Sequence, residues 1–291
     1  MKIGITGAGG QLGMGLVRHA LERTSAANIV AITRNPAKLE SLPQQGIEVR
    51  AGDFTQPSSL SGAFRDIERL VIIPTAELQP GVRIQQHKAA IDAAVASGVK
   101  HLTYISTVSP RPDPHNSLLD SHFATEQALI ASTADWTILR MSVYADSLLD
   151  ATKRAAASGS YSAVPGAPAA YIVRDDLAAA AAGILCTPGH VGITYHATGP
   201  VSITQPDIAD VISKAAGKPI PFAPISEQQQ RVGLEAVGLP PFVVNTILGF
   251  QAALRAGAFD LVTGDVERLA GKAAESPAQF LARAFAQAAR A

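Results

Sequence analysis

The chain has 291 residues, of which 47% are hydrophobic, which is enough for one large domain or for a main domain with a smaller partner. Its 24 basic and 24 acidic residues give a formal net charge of zero and form no basic block, so neither nucleic acid nor an anionic membrane is an expected partner. The single cysteine, Cys186, excludes an internal disulfide, and its apolar neighbours favour a buried structural thiol. No basic and apolar leader precedes the first predicted strand, and the apolar run 177–186 is too short to span a bilayer. We therefore expect a soluble, cytoplasmic protein.

Short apolar strands alternate with helical patterns through the first half of the chain. The predicted strands cover residues 3–5, 29–33, 47–51, 69–73, 101–106 and 136–140. The predicted helices cover residues 11–21, 36–42, 55–64 and 82–97, and one more helix lies between the fifth and sixth strands. This alternation is typical of a parallel sheet with helices on both faces. The sequence therefore predicts an α/β fold with a Rossmann-type, doubly wound parallel sheet.

The alternation weakens after about residue 145. Loop-rich stretches at 158–160 and 164–168 precede a predicted helix at 175–186 and a last strand at 193–197. The rest is mostly helical, at residues 205–216, 226–237, 241–256 and 276–289, whereas the proline-rich stretch 220–224 is at best an edge strand. We predict a Rossmann domain at 1–150, completed by 171–198, and a smaller, mostly helical substrate-cleft domain at 151–170 and 199–291.

A glycine-rich turn joins the first strand to the first helix. Glycine lets the backbone turn sharply and lets a pyrophosphate approach it closely. The free N–H groups and the dipole of the following helix then face the phosphates. An ordinary tight turn between strand and helix is the alternative. The predicted dinucleotide-binding residues of this turn are Thr6, Gly7, Gly10, Gln11, Leu12 and Gly13.

Arg34 follows the second strand, at the position that distinguishes NAD from NADP. Sites for NAD place an acidic residue there, whereas sites for NADP place a cation near the 2′-phosphate. Asn35 and Lys38 follow Arg34, and no acidic residue occurs before Glu40. A guanidinium can bind a phosphate through two parallel hydrogen bonds, although a solvated charge after a strand is the alternative. The sequence predicts NADP(H) as the cofactor.

No tyrosine of this sequence has a lysine four residues later. Short-chain reductases of ketones use such a pair, because the lysine charge lowers the pKa of the tyrosine. The helix after the fifth strand carries His122 and Glu126 instead, which share one helix face and can form a hydrogen-bonded pair that favours protonated His122. The pair either orients the helix or serves the substrate site. A metal site is not predicted, because no third ligand is in view.

The missing pair favours an acceptor that is easily reduced. A ketone that accepts a hydride becomes an alkoxide, which needs a positioned acid. A quinone becomes a phenolate-like anion whose conjugate acid has a pKa of about 10, so that water can protonate it. A site without the pair can therefore reduce a flat, conjugated and largely apolar small molecule by positioning alone.

Further candidate residues lie where the later strands end. Thr75 follows the fourth strand, in the segment over which the nicotinamide ribose would pass. Ser106 ends the fifth strand and either donates to a substrate oxygen or caps the turn. Tyr144 follows the sixth strand and either lines the substrate pocket or is a core aromatic. Arg174 begins a helix and either reaches the cofactor or binds Asp175. The candidate catalytic residues are His122, Tyr144 and Ser106.

Together these features resemble the NmrA-like branch of atypical short-chain dehydrogenases, in particular the type-2 NAD(P)H:quinone oxidoreductases and the triphenylmethane reductases. The likeness covers nearly the whole chain, and its main segments are 5–13, 30–35, 98–100, 122–126, 139–140 and Arg174. It implies that the glycine turn and Arg34 bind NADPH, and that the ends of the fourth and sixth strands contact its nicotinamide half. It also makes Thr75, Tyr144 and Arg174 cofactor-site or cleft residues.

Two residues depart from the pattern of these relatives. Gly9 stands where they usually have Thr, and Met141 stands where they usually have Asn. Met141 remains a candidate cofactor-binding residue but makes the site more apolar. Two other functions fit the same resemblance: a non-catalytic NADP sensor that binds a regulatory protein, and a reductase of an enone or imine with His122 as proton donor. A homodimer is one compatible assembly.

Overall fold

The computed structural model describes residues 1–112 and 118–288. Its strands are β1 (Ile3–Ile5), β2 (Ile29–Thr33), β3 (Glu48–Ala51), β4 (Arg69–Ile72), β5 (His101–Thr107), β6 (Asp135–Met141), β7 (Tyr161–Ala163), β8 (Ile193–Ala197) and β9 (Phe222–Pro224). Its helices are α1 (Gln11–Leu21), α2 (Leu60–Phe64), α3 (Val82–Ala96), α4 (Leu118–Ile130), α5 (Ser147–Ser158), α6 (Arg174–Cys186), α7 (Gln205–Ala216), α8 (Glu227–Ala236), α9 (Pro241–Arg255), α10 (Asp265–Ala270) and α11 (Pro277–Ala288). The last residue of the helix predicted at 276–289 lies outside the described residues.

Seven parallel strands form the main sheet in the order β3-β2-β1-β4-β5-β6-β8. Every residue of β1, β2 and β5 is buried, as expected for parallel strands whose two faces are both covered. The predicted doubly wound parallel sheet is confirmed. Because β1 lies between β2 and β4, the strand order reverses beside it. Open α/β sheets bind their ligands at the carboxyl ends of the strands flanking such a point.

Two compact units make up the chain. The first consists of Met1–Met141, Asp175–Ala197 and Asp265–Lys272 and contains the main sheet. The second consists of Ser142–Arg174, Thr198–Gly264 and Ala273–Ala291, and its helices accompany a two-stranded parallel sheet of β7 and β9. The helix α10, which the sequence pattern did not indicate, belongs to the first unit, whereas the predicted division places its residues in the second.

Two predicted helices are shorter or tighter than expected. Residues 36–42 form a 3₁₀ turn at Pro36–Leu39, and a second such turn follows at Pro43–Gln45, because proline lacks the N–H group that would continue an α-helix. The helix predicted at 55–64 covers only Leu60–Phe64. The hydroxyl of Ser59 hydrogen bonds with the backbone of Asp53 and Gln56, and such local bonds compete with helix formation.

The alanine-rich helix α6 is buried along most of its length. Ala178 to Ala182 are fully buried in the first unit. A Cβ atom added to Gly15 of α1 would lie 3.0 Å from the Cβ of Ala178, so the two helices approach closely because both positions are small. Among the described residues, no helix combines the length and the apolar character needed to cross a membrane.

A hydrogen-bonded chain runs along the amino-terminal edge of the main sheet. Arg69 donates to Nδ1 of His101 at 3.1 Å, so the proton of a neutral His101 lies on Nε2, which donates to the hydroxyl of Thr137 at 2.8 Å. Thr137 in turn donates to the carbonyl of His190 at 2.6 Å. Burial and the charge of Arg69 lower the pKa of His101 to about 4. Protonation of His101 would place a second cation against Arg69, so the folded chain keeps this histidine neutral.

We therefore expect the free energy of unfolding to fall with decreasing pH already at pH values above those at which carboxylates titrate. Burial also lowers the pKa of His87 to about 3. Below the ordinary histidine pKa of about 6.5, the unfolded chain binds protons that the folded chain does not, so stability falls as the pH drops from about 6.5 towards 4, by up to about 1.4 kcal/mol per pH unit for each histidine. Urea unfolding measured across this range checks the slope. His101→Asn lowers stability at neutral pH but makes the slope shallower, and an unchanged slope would contradict the assignment.

Candidate cofactor site

A cavity of about 600 Å³ opens at the carboxyl ends of β1, β2 and β4 in the first unit. This volume lies in the range of roughly 300–1,000 Å³ that small-molecule and cofactor sites have. The segments that follow four strands line it, together with Gln86 of α3: the glycine turn after β1, the end of β2 with Arg34 and Lys38, residues 52–55 after β3, and Ile73 to Glu77 after β4. Both flanks of the switch point therefore contribute to one cavity.

The glycine turn can form only with glycine at two of its positions. Gly7 has a φ of +63°, which side chains rarely adopt, and the N–H of Gly10 donates to its carbonyl at 2.9 Å. A Cβ atom on Gly13 would overlap the carbonyl oxygen of Gly7. Gly13 and Leu12 are buried and, like Gln11, lie outside the described lining of the cavity. Gly13 and Leu12 pack inside the turn, while Gly7 and Gly10 face the cavity.

The amino terminus of α1 lies against this cavity. Gly10 is its N-cap residue, and no described side chain caps the helix there. The first turn also carries no acidic residue. Uncapped N–H groups and the positive end of the helix dipole favour an anion at this position. The local structure therefore fits a phosphate group.

The hydroxyl of Thr6 has a structural role that the sequence did not reveal. It donates to the carbonyl of Val71 at 3.1 Å and accepts from the N–H of Ile73 at 2.9 Å. Both partners belong to the end of β4, which Thr6 thereby fixes to the end of β1. Thr6 lines the cavity, but its hydroxyl is already used.

Arg34 and Lys38 are exposed cations on one side of the cavity. Within the described parts of the chain, the side chain of neither residue makes a hydrogen bond or an ion pair, and Lys38 uses only its backbone N–H, which donates to the carbonyl of Asn35. Asn35 instead accepts from the N–H of Ala37 and caps the 3₁₀ turn that carries Lys38. This side of the cavity has the charge required to bind a phosphate.

Asp53 and Phe54, which the sequence analysis did not single out, also line the cavity. They follow β3, the neighbour of β2 in the sheet. The carboxylate of Asp53 accepts from the N–H of Thr55 at 2.9 Å, which shapes the loop. Both residues follow the carboxyl end of a strand, at the same edge of the sheet as the other lining segments. This position is the sequence signal that could have revealed them.

Thr75 lies on the opposite side of the cavity from Arg34. Its N–H donates to Nε2 of His87 at 3.1 Å, and its carbonyl accepts from Nη1 of Arg83 at 2.5 Å. Its hydroxyl oxygen is buried and has no hydrogen-bond partner among the described residues. Such an atom is costly to leave unpaired, and a bound ligand can supply the missing partner.

The expected pair of His122 and Glu126 is not formed. Glu126 accepts two hydrogen bonds from the guanidinium of Arg140, at 2.9 and 2.6 Å, and is therefore already paired with a cation. His122 instead lies between Arg83, at 3.2 Å, and the hydroxyl of Tyr104, at 2.8 Å.

The expectation that His122 is protonated is also wrong. His122 is 1% exposed, and both burial and the charge of Arg83 hold its pKa well below the ordinary value. Ser106, at the end of β5, is fully buried, and its hydroxyl has no partner in the described chain. Neither residue belongs to the described lining of the cavity.

The remaining candidates occupy other surroundings. In the second unit, Arg174 donates to Asp146 at 2.9 Å and lies over the ring of Tyr144, 4.7 Å from its centroid. The alternative partner Asp175 belongs to the first unit and binds His19 at 2.9 Å. Burial raises the pKa of Tyr144 to about 12. The backbone carbonyl of Met141 accepts from the N–H of Val108, and Met141 lies outside the described lining of the cavity.

Comparisons with known proteins match most of the chain to NAD(P)H-binding proteins. Residues 7–188 match the family model described as NAD(P)H-binding. Quinone oxidoreductase 2 of Escherichia coli is 35% identical over 260 residues, which cover 89% of this chain and 90% of that protein. The NAD(P)H azoreductase of Xenophilus azovorans is 26% identical over 95% of both chains.

Solved structures give the same result. The NADPH-dependent quinone oxidoreductase of Escherichia coli, complexed with NADPH, matches with a TM-score of 0.90 and 32% identity, over 97% of this chain and 99% of that one. The triphenylmethane reductase of a Citrobacter species, complexed with NADP(H), matches with a TM-score of 0.87 and 29% identity, over 98% of this chain and 100% of that one.

Proposed function

The chain belongs to the NAD(P)H-binding family, and on that premise we propose that it is an NADPH-dependent oxidoreductase that transfers a hydride to a quinone or a similar flat, conjugated acceptor. The predicted resemblance, enzyme class and cofactor class are confirmed by the comparisons.

The observation that carries the proposal is that one cavity joins the glycine turn to two cations without ion-pair partners in the described chain. The amino terminus of α1 would hold the pyrophosphate, and Arg34 with Lys38 would hold the 2′-phosphate. The orphaned hydroxyl of Thr75 would take a polar group on the other side. The residues present therefore fit NADPH, which when bound supplies the hydride.

The choice of acceptor follows from the polar groups of α4. In short-chain ketone reductases this helix would carry the acid, but here His122 is buried and neutral and Glu126 is paired with Arg140. Burial also raises the pKa of Tyr104, the tyrosine next to His122. Neither His122 nor Tyr104 is therefore a usable proton donor near neutral pH, and Glu126 is engaged by Arg140.

An acceptor that becomes a stable anion on reduction needs no such donor. A reduced quinone has phenolate character, so water can protonate it after hydride transfer. The protein then contributes orientation rather than acid catalysis. The names of two relatives, a quinone oxidoreductase and an azoreductase, support this class of acceptor.

Cofactor choice is testable at Arg34. Arg34→Ala removes the proposed charged hydrogen bonds to the 2′-phosphate, and such bonds contribute roughly 1.5–3 kcal/mol. The affinity for NADPH, measured by fluorescence titration, should fall about tenfold or more, whereas the affinity for NADH stays nearly constant. Arg65→Ala removes an exposed arginine outside the described cavity lining and serves as the control. Equal losses for both cofactors would contradict the role of Arg34.

The acceptor class is testable by NADPH oxidation with a panel of substrates. Benzoquinones, naphthoquinones, azo dyes and cationic triphenylmethane dyes should be reduced, and unactivated ketones should not. Because no histidine of α4 titrates near neutral pH, kcat/KM should show no histidine-dependent limb between pH 6 and 8. Tight NADPH binding without turnover of any acceptor would overturn the proposal and leave a nucleotide sensor as the function.

A further inference from the structure

A cluster of buried polar side chains lies behind the cavity wall that Thr75 forms. We call Arg83, His87, Tyr104, His122 and Thr125 the Arg83 cluster. They come from α3, β5 and α4 of the first unit, and none is more than 8% exposed. The cluster touches the wall through the peptide groups of Thr75, which makes its hydrogen bonds relevant to the cavity.

The hydrogen bonds of the cluster fix the tautomers of both histidines. A guanidinium only donates, so Nε2 of His122 accepts from Arg83 and its proton lies on Nδ1, which donates to Tyr104. The N–H of Thr75 likewise donates to Nε2 of His87, whose Nδ1 then donates to Thr125 at 3.0 Å. The direction of each bond is thus determined by a neighbour that cannot reverse it.

Arg83 is a buried cation that stays without a carboxylate partner in the described chain. Its guanidinium is held by the carbonyls of Thr75, at 2.5 Å, and Glu77, at 3.4 Å, and by His122. It also lies in the first turn of α3, where the helix dipole opposes a positive charge. Burial of the Arg83 charge under these conditions is costly. All the hydrogen bonds that compensate for this cost have their acceptors in the segment 75–77 or on His122.

We propose that Arg83, held in place by His122, is a positioning residue for the nicotinamide half of the cofactor. It fixes the Thr75 peptide as the cavity wall opposite Arg34. In the proposed orientation the 2′-phosphate lies at Arg34 and the pyrophosphate lies at the amino terminus of α1, between Arg34 and Thr75. The nicotinamide half of the cofactor must then lie along the Thr75 wall. The inference rests on the proposed function, which places the 2′-phosphate at Arg34.

His122 serves this arrangement as a neutral acceptor and not as an acid. The Nε of Arg83 already has no hydrogen-bond partner in the described chain, so removal of the Nε2 of His122 would leave Nη2 unpaired as well. This would loosen the wall, while the distant Arg34 side stays unchanged. A cluster with a merely structural role would affect both sides of the cavity equally or neither. Two ligands of different length can separate these cases.

The test compares two variants of His122 with two ligands. His122→Gln places its amide oxygen near the position of Nε2 and can still accept from Arg83, whereas His122→Asn cannot reach it. The ligands are NADPH and adenosine 2′,5′-bisphosphate, which lacks the nicotinamide half. His122→Asn should weaken NADPH binding about tenfold and leave the bisphosphate within about twofold, and His122→Gln should restore NADPH binding to within about threefold of the original.

Tyr104→Phe provides a milder second variant in case His122→Asn does not fold. It removes only the hydroxyl that accepts from His122 and should weaken NADPH binding in the same selective way. Circular dichroism verifies the fold of each variant. Equal weakening of both ligands, or no weakening of NADPH, would overturn the proposal.

Failure of the proposed function gives a different result in the same assay. Arg34→Ala should weaken both ligands, because both carry the 2′-phosphate. If Arg34→Ala affects neither ligand, the orientation of the cofactor is wrong, whatever the His122 variants show. If Arg34→Ala weakens both and the His122 variants are not selective, only the positioning role of Arg83 is wrong.

Discussion

The site depends on one constraint, which is the close contact between the first turn of α1 and the glycine turn that precedes it. Because Gly13 has no Cβ atom, the helix can begin directly against the carbonyl of Gly7. The amino terminus of the helix then lies at the cavity with uncapped N–H groups, beside the point at which the strand order reverses. A side chain at this position would push the helix away and remove the anion site, although the sheet itself could remain. The geometry of the turn therefore links the fold to the cofactor.

The sequence predicted those parts of the structure that depend on local pattern. The alternation of apolar strands and helices gave the doubly wound sheet, and the glycine spacing and Arg34 placed two sides of the cavity. Local pattern could not predict bonds between distant residues. His122 and Glu126 share a helix face, yet each finds a stronger partner elsewhere: Arg83 is 39 residues away and Arg140 is 14 residues away. The strand β7 and the helix α10 were missed because three to six residues carry too little periodicity. The helix α5, with 12 residues, was missed as well.

The buried polar groups behind the cavity explain why a site that lacks the usual acid can still be ordered. Histidines, which elsewhere can supply protons, are here used to hold other groups, as with His87, whose Nε2 accepts from the N–H of Thr75. A neutral His122 fits this use, because its unprotonated Nε2 must accept from a guanidinium. The same burial that prevents these groups from acting as acids makes them precise supports. The proposed support of the cofactor is consistent with an acceptor that needs no acid.

The central claim is that this protein transfers hydride without a protein acid in the rate-determining step. The direct measurement is a pair of isotope effects on kcat/KM with a naphthoquinone as acceptor, one with NADPH deuterated at the transferred position of C4 and one in deuterated water. The account predicts a normal primary effect from the deuterated cofactor and a solvent effect close to unity. A large solvent effect that arises together with the primary effect would show a proton moving in the same step and would contradict the account.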